Sequence, residues 1–233
     1  MVELARRIAE NLAQVRGRIA EAAHKSGRDP SAITLVAVTK SEPVETVAAL
    51  IAAGCTEFGE SRPQELWSKA AELGIEAIHW HLIGHLQRNK IRRTLPLVRL
   101  IHSVDSRRLL AALNDENAEL GIRTAVLLEV NISGDITKTG LPPEELKPLL
   151  AGDFPHVEIR GLMGMASLTG GSERARRDFA HLREMRNDLI KFCSGSVSLA
   201  ELSMGMSGDF DVAIECGSTI VRVGSALFEG IEQ

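Results

Sequence analysis

The stretch Ile33-Thr-Leu-Val-Ala-Val-Thr-Lys40 is β-branched and apolar, and it stops on a single lysine. A strand this apolar is buried on both faces, as in a parallel sheet. The carboxyl ends of such strands are where open α/β sheets and barrels bind ligands. A desolvated lysine loses its proton readily and then attacks aldehydes, so Lys40 is the first candidate for a Schiff-base lysine. Alternation puts Thr34, Val36, Val38 and Lys40 on one face of the strand and Leu35, Ala37 and Thr39 on the other. The same run also admits a plain lysine exposed at the rim, and the residue types leave both readings open.

Arg222 lies between valines in Thr219-Ile-Val-Arg-Val-Gly224. A guanidinium in such a strand needs a partner, because an unpaired buried charge is too costly. Either an internal carboxylate such as Glu129 or Glu215 supplies it, or the guanidinium donates to a ligand heteroatom. Two small-residue runs flank it, Gly217-Ser218-Thr219 and Gly224-Ser225. Barrels bind phosphate with the loops after strands seven and eight, through backbone N–H groups. Gly224-Ser225 suits that role, with the loop from Ser203 to Ser207 beside it. Ser207 has a plainer use, as the cap of a helix whose first turn holds Asp209 and Asp211. Together, an amine and a phosphate cradle point to a phosphorylated aldehyde.

A competing constellation is His79, His81 and His102. The first two share one strand face, as metal ligands would. A barrel metallohydrolase needs further ligands on later strands, yet those ends read Asn131, Met163 and Ser203. Ring packing and hydrogen bonding account for these histidines more simply.

The elements that must position these residues alternate. Residues 2 to about 26 carry Leu4, Ile8, Leu12, Val15, Ile19 and Ala22 at helical spacing. Strand-like runs follow at 33–39, 55–58, 78–84, 99–103, 124–132, 157–164, 199–203 and 220–223. Helical patterns lie between them at 43–53, 61–73, 87–94, 106–120, 143–150, 172–192 and 208–215. Ser41-Glu-Pro43 and Pro142-Pro-Glu-Glu place prolines in first turns. This order predicts an α/β fold, a single (β/α)8 TIM barrel over 1–233 with residues 1–28 as an extra N-terminal helix. An open doubly wound sheet is less favoured, since the units are short and evenly spaced and no G-x-G-x-x-G follows the first strand.

Composition bounds the function classes. A hydrophobic content of 44% fills a core of this size, and the net charge of −4 argues against a nucleic-acid binder. The local basic run from Arg88 to Arg93 reads as a solvated helix face. No window approaches the roughly 18 uninterrupted apolar residues of a membrane span, and no signal peptide is expected. Cys55, Cys193 and Cys216 form no CxxC pair, which suggests buried thiols in a reducing cytoplasm.

Several stretches together are similar to the pyridoxal phosphate homeostasis proteins, whose fold is that of the alanine racemase N-terminal barrel. They are Val36-Ala-Val-Thr-Lys40, Phe58-Gly-Glu60, His79-Trp-His-Leu-Ile-Gly84 with Leu86-Gln87 and Asn89-Lys90, and Glu129-Val-Asn-Ile-Ser-Gly134 with Lys138 and Gly140. Gly161-Leu-Met163, Leu202-Ser-Met-Gly-Met-Ser207 with Asp209, and Gly217-Ser-Thr219 with Val221-Arg-Val-Gly224 complete the match, which runs from about residue 30 onward. The resemblance implies that Lys40 holds pyridoxal 5′-phosphate (PLP) as a Schiff base. It further implies that Ser203, Gly224 and Ser225 hold the phosphate, with Thr219 and Ser207 nearby, and that Arg222 faces the pyridine nitrogen. Two departures stand out. Ser61-Arg62 follows Phe-Gly-Glu where the family has Asn, and Phe228-Glu229-Gly230 replaces Phe-Gly near the last helix.

An arginine opposite the pyridine nitrogen keeps its own proton, which makes the cofactor a poor electron sink. Racemases of this arrangement use a tyrosine from a second domain as the opposing base, and this chain has no tyrosine. The expectation is therefore a non-catalytic cytoplasmic carrier that supplies PLP to apo-enzymes through transient contacts, as a monomer or weak dimer. A PLP-dependent enzyme acting on amino acids is the alternative, and a metal-dependent barrel hydrolase the remote one.

Overall fold

The computed structural model describes residues 2–74, 78–133, 139–167, 169–193 and 197–231. Eight parallel strands pair in chain order: β1 (Thr34–Val38), β2 (Glu57–Glu60), β3 (His79–Leu82), β4 (Val98–Val104), β5 (Thr124–Val130), β6 (Val157–Gly164), β7 (Val197–Ser203) and β8 (Ile220–Val223). β8 pairs with β1 and closes the barrel, matching Val36 to Arg222 and Ala37 to Val223. Because helices cover the outside and side chains fill the inside, β5 is buried at every residue, as its unbroken apolar run requires. Val36, Leu100, Ala125, Leu127, Met163 and Ile220 pack inside the barrel. Phe58, Trp80, Leu82, Ile101 and Leu128 belong to the larger outer layer beneath the helices.

The helices are α1 (Val2–Lys25), α2 (Val44–Ala52), α3 (Pro63–Leu73), α4 (Ile91–Thr94), α5 (Arg107–Leu120), α6 (Pro143–Leu150), α7 (Gly171–Leu189) and α8 (Phe210–Glu215). After β8 only a short 3-10 turn, Ser225–Leu227, follows. The helix that would complete the outer ring there is supplied by α1, which packs against α2, α8 and this turn. Its stripe Ile8, Leu12, Val15 and Ile19 is buried, and each such side chain stabilises by roughly 1.5–3 kcal/mol. The buried Asn11 donates from Nδ2 to the carbonyls of Leu227 and Glu229, at 3.1 and 3.0 Å. Those bonds tie the start of the chain to the segment after the last strand.

Several expected helices are shorter than the sequence suggests, among them those at 87–94 and 208–215. The 87–94 pattern breaks into a 3-10 turn (Arg88–Lys90), the single turn α4, and a second 3-10 turn over Leu95–Leu97. Pro96 lacks an N–H and disfavours helix at the residue before it, so the run cannot continue. The 208–215 helix begins only at Phe210, with Asp209 at its N-cap. Ser207 is therefore not the cap. At the other predicted starts Pro43 is itself an N-cap, while Pro143 occupies the first turn of α6.

Candidate functional site

A cavity of about 690 Å³ opens at the carboxyl ends of the strands. Lys40, Ser207, Arg222, Gly224 and Ser225 line it, so five of the seven expected residues meet in one place.

Of the two placements the sequence leaves open, Lys40 takes the exposed one on the rim, because β1 ends two residues before it. Its backbone is nevertheless held firmly. The Thr39 N–H donates to the Gly59 carbonyl at 3.1 Å. The Thr39 carbonyl in turn accepts from Lys69 Nζ at 2.6 Å and from the Glu42 N–H at 2.9 Å. Lys69 also pairs with Glu60 Oε1 at 2.7 Å, and the Thr39 hydroxyl donates to that oxygen at 2.6 Å. The Lys69 and Glu60 side chains are only 6% and 0% exposed, so this buried ion pair clamps the strand end beneath a mobile-length side chain.

Arg222 is buried and points inward from β8. Its Nη1 donates to Ser203 Oγ at 2.5 Å and its Nη2 to the Gly164 carbonyl at 3.3 Å. Neither expected carboxylate is bonded to it. Glu129 accepts from the Thr139 hydroxyl at 2.7 Å, and Glu215 pairs with Arg176 at 2.6 Å. Burial pushes the Arg222 pKa down to about 10, against the pull of the Glu129 and Asp209 charges. The guanidinium therefore stays protonated at neutral pH.

Ser207 turns its hydroxyl to the opposite loop, where it accepts from the N–H groups of Gly224 and Ala226 at 3.2 and 3.4 Å. Asp209 closes the same loop by accepting from the Met206 N–H at 2.6 Å. Burial raises the Asp209 carboxyl pKa. Gly205 permits the turn: its φ is +97°, and a Cβ there would stand 2.6 Å from that of Ala213. Among the described residues, the N–H groups of Ser207, Gly208 and Ser225 have no protein partner, and all three residues line the cavity. This is a set of donors suited to an anion.

Ser203 and Thr219 depart from expectation. Ser203 is fully buried in the barrel interior beneath the cavity, where its hydroxyl lies between His102 Nδ1 at 2.8 Å and Arg222. Thr219 precedes β8, at the amino end of the barrel, and bonds Glu201 Oε2 at 2.5 Å and the Leu202 N–H at 2.9 Å. The stagger of the strands explains both, since Ser203 ends β7 yet pairs with Ile220, the first residue of β8. Neither residue lines the cavity: Ser203, expected to hold the phosphate, stands behind Arg222, and Thr219, expected nearby, stands just before β8.

The histidines are committed to each other. His81 Nδ1 lies 2.8 Å from His102 Nε2, and Glu57 bonds His81 Nε2 at 2.7 Å and His79 Nδ1 at 2.8 Å. Burial, with the nearby His81 and Arg222, holds the His102 pKa well below the histidine range. Burial works against the Glu57 charge, but the hydrogen bonds from both histidines hold its pKa down at about 2. Among the described residues no group of three or more His, Cys, Asp or Glu side chains is arranged for a metal ion.

Ile83, Met163, Met165 and Met206, in stretches that end the strands, also line the cavity, as do Glu42 and Phe228, to none of which the sequence assigns a binding role. Glu42 is a carboxylate two residues past Lys40, in the Ser41-Glu-Pro43 helix start. Ser61 of the departing pair lines the cavity too, packed so tightly on Gly84 that a Cβ there would stand 2.2 Å from the Ser61 carbonyl oxygen. Arg62 faces a neighbouring cavity with His85, Gln87 and Lys90. Glu229 is exposed and offers its carbonyl to Asn11. In the basic run, Arg92 pairs with Glu116 and Glu119, and Arg93 lies 4.3 Å over the Trp67 ring. Gly134 and Lys138 of the matched motif lie outside the described residues.

The family described as alanine racemase, N-terminal domain, matches residues 6–231. The pyridoxal phosphate homeostasis protein of Pseudomonas aeruginosa is 40% identical over 223 residues, covering 95% of this chain and 94% of that one. The chain belongs to the family of pyridoxal phosphate homeostasis proteins. PipY of Synechococcus elongatus PCC7942, solved with PLP bound, superposes at a TM-score of 0.83 with 36% identity, covering 95% of this chain and 99% of PipY. The alanine racemase of Bartonella henselae shares the fold at a TM-score of 0.72 with 15% identity, over 96% of this chain and 58% of the racemase. Of the stretches matched to this family, Lys40, Met206, Ser207, Arg222 and Gly224 line this cavity.

Proposed function

We propose that this chain binds PLP in the cavity, holds it reversibly as a Schiff base on Lys40, and releases it to PLP-dependent apo-enzymes. The observation that carries the reading is the convergence of an amine, a buried guanidinium and unpaired N–H donors on one cavity. PLP supplies an aldehyde, which condenses with an unprotonated lysine amine and releases water. Ser207, Gly224 and Ser225 would cradle the phosphate, with the free N–H groups of Ser207, Gly208 and Ser225 as donors, while the Gly224 N–H, taken by the Ser207 hydroxyl, holds the two loops together. Arg222 would face the pyridine nitrogen. With a pKa of about 10 it donates a hydrogen bond without surrendering its proton, which favours holding over carbanion chemistry. Ser203 stands behind Arg222, outside the ligand set.

The names of the relatives support a homeostatic role. No helix of the described chain is long and apolar enough to cross a membrane, and Cys55, Cys193 and Cys216 are unpaired, which suits a cytoplasmic setting. The alternative, an amino-acid-transforming enzyme, would draw on Glu42, the carboxylate in the cavity wall near Lys40.

Titrating the purified protein with PLP while following the visible spectrum tests the reading. The carrier predicts a visible band that decays when an apo-enzyme is added, as that enzyme's activity appears, and no steady turnover of amino acids. Absence of binding would refute the ligand, and Lys40-dependent turnover would favour the enzyme.

A further inference from the structure

Behind Arg222, the inside of the barrel holds a run of polar groups that the proposed function does not use. It begins at Arg222 in the cavity floor and passes through Ser203, His102 and His81 to Glu57, near the opposite mouth. The successive separations are 2.5, 2.8, 2.8 and 2.7 Å. Ser203, His102 and His81 are buried among Val36, Leu100 and the other interior apolar side chains, and only Glu57 retains side-chain exposure, 18%. A polar thread of this length in an apolar barrel is costly unless every group in it is satisfied.

The direction of each bond follows from the donor inventory. A guanidinium only donates, so Ser203 Oγ accepts from Arg222. Among the described residues His102 Nδ1 is the acceptor within reach of the serine's own proton, and taking that proton's bond leaves this nitrogen bare. A neutral His102 therefore carries its proton on Nε2 and gives that bond to His81 Nδ1. His81 in turn carries its proton on Nε2 and donates to the Glu57 carboxylate. All four bonds then point the same way, from the cation to the anion. Aligned hydrogen bonds polarise one another. A change at Glu57 is therefore felt at the guanidinium through the orientation of every member between.

We propose that Ser203, His102, His81 and Glu57 are positioning residues that fix the Arg222 guanidinium toward the bound ligand's ring nitrogen. The proposal rests on the reading that this cavity takes PLP. It makes the electronic state of the bound ligand depend on a carboxylate at the far end of the barrel, which touches nothing in the site. A purely structural thread would alter stability when cut and leave the ligand's spectrum alone.

The test has a ligand-free arm and a loaded arm. In the ligand-free protein labelled with 15N-histidine, His102 is expected as the neutral Nε2–H tautomer, with its Nε2 proton shared with His81 Nδ1. A His102 Nδ1–H tautomer, or an imidazolium at that position, would overturn the one-way chain. In the loaded arm, Glu57→Gln and Ser203→Ala are titrated with PLP beside the wild type. Both are expected to move the visible maximum and to weaken PLP by at least about fivefold, the lower range of site-to-site coupling. PLP should also shift the His102 Nδ1 resonance of the wild type. An unmoved spectrum and affinity in either folded variant contradicts positioning. Ser203→Ala removes only a hydroxyl, so it carries this arm if Glu57→Gln does not fold. Failure of the wild type itself to take up PLP would instead sink the ligand reading, with the His102 tautomer still as expected.

Discussion

At position 207 one hydroxyl accepts two backbone N–H bonds from the loop after β8, so the two loops that form the anion cradle are held together by a single oxygen. Ser207→Ala removes that acceptor and should cost about 1 kcal/mol in a urea titration while weakening PLP binding several-fold. Thr219 gives the opposite pattern. Its hydroxyl serves Glu201 and the Leu202 N–H at the amino end of the barrel. Thr219→Val should lower stability by about 1–2 kcal/mol and leave PLP affinity unchanged. If Thr219→Val weakened binding as Ser207→Ala does, the separation of these two roles would be wrong. Residue type alone did not distinguish them, since both are hydroxyls in small-residue runs near β7 and β8. What separates them is strand stagger, a property of closure that no local pattern carries.

The elements were the most legible part of the sequence, because their signals are local. Apolar runs marked the eight strands and helical spacing marked α1, whereas Pro96 and the Asp209 N-cap, which shortened two helices, act through detailed turn geometry. Less legible was how an element end is secured. The Glu60–Lys69 pair joins β2 to α3 and grips the Thr39 carbonyl just before Lys40, yet in sequence it reads as ordinary helix polarity. Removing one partner of a buried pair strands the other charge, so Lys69→Met should destabilise by roughly 3–5 kcal/mol. Removing both charges in Glu60→Leu/Lys69→Met should recover much of that loss, as read from the urea midpoints. A double variant no more stable than Lys69→Met would show that the clamp, and not charge compensation, dominates.

For the whole molecule, the interior thread predicts how stability depends on pH. His102 is buried and held neutral, its pKa well below the ordinary 6.5. Its contribution is present above pH 6.5 and is lost as the pH falls below it, because only the unfolded chain takes up the proton. Glu57, held at about 2, adds stability that is present above 4.5 and lost as the pH falls from there toward 2. Glu129 and Asp209, both raised by burial, act in the opposite sense: their contribution is present in acid and lost as the pH rises through their folded values. Between pH 6.5 and 5, His102→Gln should therefore flatten the fall in stability by roughly 1 kcal/mol per pH unit against the wild type. Parallel curves for the two proteins would mean that His102 is protonated in the fold. The barrel itself was legible from eight evenly spaced units, and so was the mouth where Lys40, Arg222 and Gly224-Ser225 meet. The thread behind them was not, because it joins five residues from five different strands.

The central claim, that Lys40 is the amine that holds PLP in this cavity, is tested most directly by borohydride reduction of the PLP-treated protein followed by peptide mapping. The account predicts loss of the visible band and one covalent pyridoxyl adduct, on Lys40. An adduct confined to another lysine, or a Lys40→Ala protein that binds PLP with unchanged spectrum and affinity, would contradict it.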